Sequence, residues 1–146
     1  MSVKQKVQIE QIRYELTWRI RHQVMYPNLP FDAIKLPSDP EGIHFGLYVG
    51  DTLSCVVSVF NEDRIYQFRK FATLETFQGK GYGSMLLSYV ISFVKQEGGT
   101  MIWCNARVSA TKFYERFGFK VRGEEFTEQG IDFVIMELQL ETVIDT

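Results

Sequence analysis

At 146 residues the chain is the size of one domain, inside the span of roughly 100–200 residues that a single hydrophobic core serves. Hydrophobic residues make up 45% of it and aromatics 14%, which sets aside a disordered chain because there is apolar surface enough to offset chain entropy. The net charge of -2 offers no general attraction to nucleic acid or anionic lipid, which recruit clustered Lys and Arg.

In chain order, Val3 to Ile9 alternates like a short strand. Glu10 to Met25 carries Ile12, Leu16, Ile20 and Val24 at four-residue steps, the spacing of one helix face, and this helix must end before Pro27. Pro27, Pro30, Pro37 and Pro40 punctuate an irregular stretch that reads as a functional loop or as a loop containing a short helix. Phe45–Val49 and Thr52–Phe60 are apolar, β-branched runs flanking Gly50-Asp51, and are expected to pair as an antiparallel hairpin. Arg64 to Thr73 is apolar on much of both faces, as a central strand would be, and forms the third strand of that meander. A Gly-rich turn at Gly79–Gly83 leads into a helix with Tyr82, Leu86, Tyr89, Val90 and Phe93 on one stripe, stopped by Gly98-Gly99. Thr100 to Asn105 is another strand. Ser109 is placed to cap a short helix whose Ala110, Phe113, Tyr114 and Phe117 face the core, with Gly118 at its left-handed end. Phe119–Phe126 and Ile131–Leu140 complete the chain as strands around Glu128-Gln129-Gly130. The expected class is α+β with a mixed, mostly antiparallel sheet flanked by helices.

The longest apolar run, Met85 to Val94, is interrupted by Ser88 and Ser92 and falls short of the roughly 20 residues a membrane span needs. Met1 to Glu10 lacks the apolar stretch of a signal peptide, so a cytoplasmic location is expected. Cys55 and Cys104 sit in apolar segments and read as buried small hydrophobes, neither a disulfide nor a metal site. Charge is uneven: Glu124, Glu125, Glu128, Asp132, Glu137, Glu141 and Asp145 face only Arg122 after Val121, a solvated acidic surface or a rim that attracts a cationic amine.

The most informative stretch is Gln78-Gly79-Lys80-Gly81-Tyr82-Gly83-Ser84 between a strand and a helix. Glycines at alternate positions let backbone approach a ligand, and successive N–H groups at a helix start suit a pyrophosphate. The spacing satisfies neither the Walker loop nor the dinucleotide fingerprint. It does resemble the Gln/Arg-x-x-Gly-x-Gly/Ala motif of the GNAT acetyltransferase superfamily, through Gln78, Gly81 and Gly83. A second element of that family, Ala then Tyr four residues on and then Gly-Phe, is matched by Ala110, Tyr114, Gly118 and Phe119. The resemblance covers Phe45 to Leu138, with weaker support from Trp18-Arg19-Ile20-Arg21-His22 and Pro27 in the first helix.

What the resemblance implies is a GNAT fold in a single domain, with acetyl-CoA as cosubstrate in a wedge between the strand ending at Thr73 and the strand Met101–Asn105. Pantetheine would pair with Phe71, Ala72 and Thr73; the pyrophosphate would sit on the amides of Gln78, Gly79, Lys80, Gly81, Tyr82, Gly83 and Ser84, with Lys80 adding charge. The amide of Ala72 or Thr73 would stabilise the oxyanion, and Tyr114 would be the acid that protonates the departing CoA thiolate. Two positions depart from the family pattern. Gln67 stands where many members carry a Glu general base, leaving Glu75, Glu10, His22 or a water chain as replacements; Arg107 stands where an Asn is common, so that Asn105 or Arg107 would contact pantetheine or serve only as a polar loop residue, Asn105 being the one singled out. The implied activity is acetyl transfer to a primary amine through a ternary complex, the acceptor being a small cationic molecule, an amino acid or a protein amine. The alternative that Gln67 leaves open is a non-catalytic acetyl-CoA sensor of the same fold. Dimerisation through Ile131–Leu140 is common in such folds and is not decided by the sequence.

Overall fold

The structure, a computed structural model, describes residues 5–140. Val3, where the first strand was expected to begin, and the acids Glu141 and Asp145 lie outside the described residues. The chain divides into two compact units, one running to Phe60 and including Lys70–Val90, the other formed by Asn61–Arg69 and the chain from Ile91 onward.

The first unit begins with strand β1, Val7–Ile12, which pairs antiparallel with β2, Ile43–Val49. Here the expected helix from Glu10 is corrected. Glu10, Gln11 and Ile12 are strand residues bonded opposite Gly46, Phe45 and His44, so pairing with a distant segment overrides their helical spacing. Helix α1 spans only Glu15–Ile20 and continues as one π-helical turn, Arg21–Met25, which ends ahead of Pro27 as expected. Leu16 is 41% exposed; the residues this segment buries are Thr17, Ile20 and Arg21. The proline-punctuated stretch contains two 3₁₀ turns, Phe31–Ile34 and Asp39–Glu41. Strand β3, Thr52–Glu62, folds back on β2 with Val49 opposite Thr52 around Gly50-Asp51, and Gly50 takes φ +59° to close the hairpin. Ile20, Val56 and Ala72 form a buried cluster against which Ile12, Val24, Met25, Leu53 and Leu74 pack. The π-helical turn is thereby fixed beside Ala72, a residue of β4, Ile65–Thr73.

Helix α2, Tyr82–Gln96, buries Leu86, Leu87, Val90 and Val94. The expected stripe through Tyr82, Tyr89 and Phe93 is rotated: Tyr89 is 41% exposed and rests its ring edge on Phe45, with centroids 5.4 Å apart. Its phenol keeps a polar tip in water while Leu87 and Val94 take the core positions.

In the second unit, β4 pairs in parallel with β5, Met101–Arg107, at only three positions, from Ile65↔Met101 to Gln67↔Trp103, although both strands run on. Strand β7, Ile131–Gln139, pairs antiparallel with β5 from Phe133 to Gln139, and β6, Lys120–Glu128, lies outside it. The strand order read through β4 is β1-β2-β3-β4-β5-β7-β6, a mixed sheet of seven strands. The β6–β7 hairpin closes through Gln129 and Gly130, both at positive φ. Ser109 does not cap a helix. A 3₁₀ turn, Val108–Ala110, precedes the short helix α3, Thr111–Glu115, and it is Thr111 Oγ1 that donates to the Val108 carbonyl at 3.1 Å. Gly118 takes φ +95° just before the buried Phe119. No helix among the described residues is long and apolar enough to cross a membrane.

One buried polar network has no counterpart in the sequence reading. Arg21, fully buried, gives Nη1 to the Ile34 carbonyl and Asp39 Oδ2, and Nη2 to Asp39 Oδ1 and Ser58 Oγ, all within 3.2 Å. Trp18 Nε1 and the Leu36 N–H also donate to Asp39. His44 closes the circuit: its Nε2–H must donate to the Asp39 carbonyl at 2.8 Å, so Nδ1 accepts the Ser58 hydroxyl proton at 2.7 Å. This ties the 3₁₀ turns of the loop to α1 and β3.

Burial pushes the His44 pKa below its usual 6.5, against the Asp39 carbonyl and the charges of Asp39 and Glu15, with the Arg21 charge assisting. The unfolded chain therefore binds a proton near pH 6.5 that the folded chain refuses, so this contribution to stability is full above that pH and is lost as pH falls below it. The urea midpoint is expected to fall between about pH 7.5 and pH 5, and to fall less in His44→Gln, whose amide can still donate to Asp39. A midpoint unchanged over that range would contradict this. Asp39 acts in a lower window: burial alone would raise its pKa, but the hydrogen bonds from Arg21, Trp18 and Leu36 outweigh that and hold it below 3.8.

Candidate functional site

Beyond β4 the chain makes a 3₁₀ turn, Glu75–Phe77, and then the Gly-rich turn. Gln78 is spent on shaping it: its N–H donates to the Glu75 carbonyl at 3.2 Å and its side-chain amide to the Thr73 carbonyl at 2.9 Å. Gly79 and Gly81 follow with φ +75° and +86°, which an L side chain adopts only under strain, and a Cβ at either would meet nothing within 4 Å. At Gly83 a Cβ would come within 3.5 Å of the Phe71 ring.

The first hydrogen bond of α2 runs from the Met85 N–H to the Gly81 carbonyl. The N–H groups of Tyr82, Gly83 and Ser84 thus have no acceptor upstream, and they point from the positive pole of a 15-residue helix. Lys80 is exposed, its ammonium 5.8 Å from the Phe77 ring centroid. Open space, unspent donors and a free cation suit an anion with several oxygens, which is what a pyrophosphate brings.

Upstream, Ala72 is buried while Phe71 and Thr73 are half-buried. The Leu74 N–H donates across to the Ser54 carbonyl of β3 at 2.8 Å, so strand alternation turns the Thr73 N–H to the opposite edge. Thr73 Oγ1 donates to Cys55 Sγ at 3.1 Å. Cys55 and Cys104 are both buried and free, as the sequence reading holds, and burial raises their thiols to about 11 and about 12, so neither is a thiolate near neutral pH. Lys70 was not singled out by its sequence. It has φ +55° inside β4 and sends its ammonium to the Tyr26 hydroxyl at 2.5 Å, 4.7 Å from that ring's centroid.

In the second unit, Tyr114 stands among Phe68, Phe113 and Phe119, with ring centroids 5.1 to 5.8 Å away. Its hydroxyl makes no hydrogen bond to a described residue, and burial, followed by the neighbouring Cys104, drives its pKa well above 10, so it keeps its proton. Asn105 is exposed on β5 opposite Ile135. Gln67 is half-buried opposite Trp103. The replacement bases are dispersed: Glu75 is exposed in its 3₁₀ turn, Glu10 is exposed on β1 and takes the Gln8 amide, and His22 binds the Leu29 carbonyl through Nε2, leaving Nδ1 as its basic nitrogen.

From residue 24 to residue 140 the chain matches the acetyltransferase (GNAT) domain family. It belongs to that family. Its acetyl donor and cosubstrate is acetyl-CoA. The acetyltransferase is 30% identical to the uncharacterized N-acetyltransferase YitI of Bacillus subtilis, in an alignment covering 93% of this chain and 98% of that one. Its fold is that of a Bacillus subtilis acetyltransferase crystallised in complex with CoA, with a TM-score of 0.74 at 21% identity over 93% of this chain and all of the other. The ribosomal-protein-S18-alanine N-acetyltransferase of Escherichia coli superposes with a TM-score of 0.79 at 16% identity, covering 96% of this chain and 97% of that one.

Proposed function

We propose that the acetyltransferase moves the acetyl group directly from acetyl-CoA to a primary amine while both are bound. The observation that carries this reading is the run of unspent N–H donors from Gly79 to Ser84 at the head of α2. Those amides, with Lys80, hold the pyrophosphate, Gln78 holds the turn in shape, and Phe71, Ala72 and Thr73 offer backbone partners to pantetheine, with Asn105 a further polar contact. Of the two amides considered for the thioester oxygen, that of Thr73 is favoured because it faces away from β3. Tyr114 supplies the proton to the departing sulfur; its unengaged hydroxyl supports that role.

The acceptor amine must be neutral to attack, and the acids Glu124, Glu125, Glu128 and Asp132 along the β6–β7 hairpin favour a molecule that arrives as a cation. The test is release of CoA thiol from acetyl-CoA across a panel of primary amines. The enzyme is expected to release thiol well above hydrolysis background with some of them; tight acetyl-CoA binding with background release throughout would favour a sensor.

A further inference from the structure

We propose that Lys70 and Tyr26 form a carboxylate-binding subsite, so that the acceptor is an amine that also carries a carboxylate, as a free amino acid does. This rests on the reading of Ala72 and Thr73 given above. Three observations within one unit support it.

First, Lys70 is a non-glycine residue held at φ +55° inside a strand, a conformation that L residues keep only where the surroundings impose it, and such positions gather at ligand sites. Second, Lys70 is a half-buried residue, and its ammonium has no carboxylate partner among the described residues. A carboxylate set beside that ammonium would make a charge-assisted hydrogen bond. Third, the pair has the donors a carboxylate wants. One ammonium N–H goes to the Tyr26 oxygen, which leaves two on Lys70 and frees the phenolic O–H of Tyr26 to donate in turn. One carboxylate oxygen on the ammonium and the other on the phenol would use both.

The position suits the chemistry. Lys70 precedes Ala72 by two residues and Thr73 by three, about 7–10 Å along an extended strand. Tyr26 is set by the π-helical turn, whose Val24 and Met25 pack on the Ile20–Val56–Ala72 cluster, and its own N–H is bound to the His22 carbonyl. A small amine anchored by its carboxylate at Lys70 could therefore present its nitrogen to a thioester held at Thr73.

The experiment compares thiol release with free amino acids and with the corresponding amino-acid amides, in the native enzyme, in Lys70→Gly and in Tyr26→Phe. Glycine favours the left-handed backbone of residue 70, so it removes the ammonium without opposing that conformation. In the native enzyme kcat/KM is expected to be at least about tenfold higher for acids than for their amides, from a lower KM. In Lys70→Gly that ratio should fall towards one, and Tyr26→Phe should reduce it in part, while calorimetry shows acetyl-CoA affinity within about twofold of native. Equal use of acids and amides by the native enzyme, or an unchanged ratio in Lys70→Gly, would overturn the inference and leave the transferase reading standing. A loss of acetyl-CoA affinity in Lys70→Gly would assign the subsite to a cosubstrate phosphate and overturn it as well. Release from neither class, with acetyl-CoA bound, would overturn the inference, and the transferase reading would fall with it only if the whole panel of primary amines also gave background release.

Discussion

Tyr114→Phe is expected to lower kcat by about 10²-fold or more while leaving acetyl-CoA affinity within about twofold of native, because a positioned general acid contributes on the order of 10²–10⁴. The substitution removes one oxygen and nothing else of weight. The ring stays in its aromatic nest of Phe68, Phe113 and Phe119, and the hydroxyl that is lost has no hydrogen bond to a described residue to forfeit. Stability should therefore be nearly unchanged or slightly raised, since a polar group in apolar surroundings is gone. That separates chemistry from folding. Steady-state thiol release on the best amine of the panel, with calorimetric acetyl-CoA titration and a urea melt on the same sample, reads all three quantities. A kcat within about threefold of native would remove Tyr114 from the proton-donor role.

Arg21→Met is expected to cost about 3–5 kcal/mol of folding stability, the usual penalty for leaving one member of a buried ion pair without its partner. Both Arg21 and Asp39 are within 1% of complete burial, and four of the five guanidinium N–H groups are bonded; the Nε–H is buried without a partner. The stranded Asp39 would retain only Trp18 and the Leu36 N–H. Against a typical total of about 5–15 kcal/mol, that loss would remove at least about a fifth of the folding stability. The double variant Arg21→Met/Asp39→Asn should recover part of it, because no buried charge then lacks a counter-ion. Urea denaturation measures both, and a single-variant loss under about 1 kcal/mol would show that the pair contributes little.

What the sequence reveals, and what it hides, divides along the range of the interactions. The Gly-rich turn is legible because its requirement is local: Gly79 and Gly81 sit at φ values that other residues resist, immediately before a helix with unspent donors. The hairpins around Gly50-Asp51 and Gln129-Gly130 are legible for the same reason. The first helix is misread because the partners of Glu10, Gln11 and Ile12 lie over thirty residues away in β2, and the periodicity of Ile12 and Leu16 carries no trace of them. Arg21 follows Arg19 and Ile20 as a surface residue would; only its pairing with Asp39, 18 positions on, makes it core. Lys70 belongs to the same class, since no rule of sequence marks a lysine for left-handed backbone in the middle of a strand.

The central claim is that acetyl-CoA is held by the backbone of the turn at Gly79–Ser84. Calorimetric titration of acetyl-CoA into the native enzyme and into Gly81→Val tests it most directly. At residue 81 the backbone has φ +86°, where a β-branched side chain is strongly disfavoured, and a side chain there would project into the open space that the donors face. Native binding is expected in the micromolar range, with affinity at least about tenfold weaker in a Gly81→Val variant that is still folded. Native protein that takes up no acetyl-CoA, or a folded Gly81→Val that binds it as tightly as native, would contradict the account.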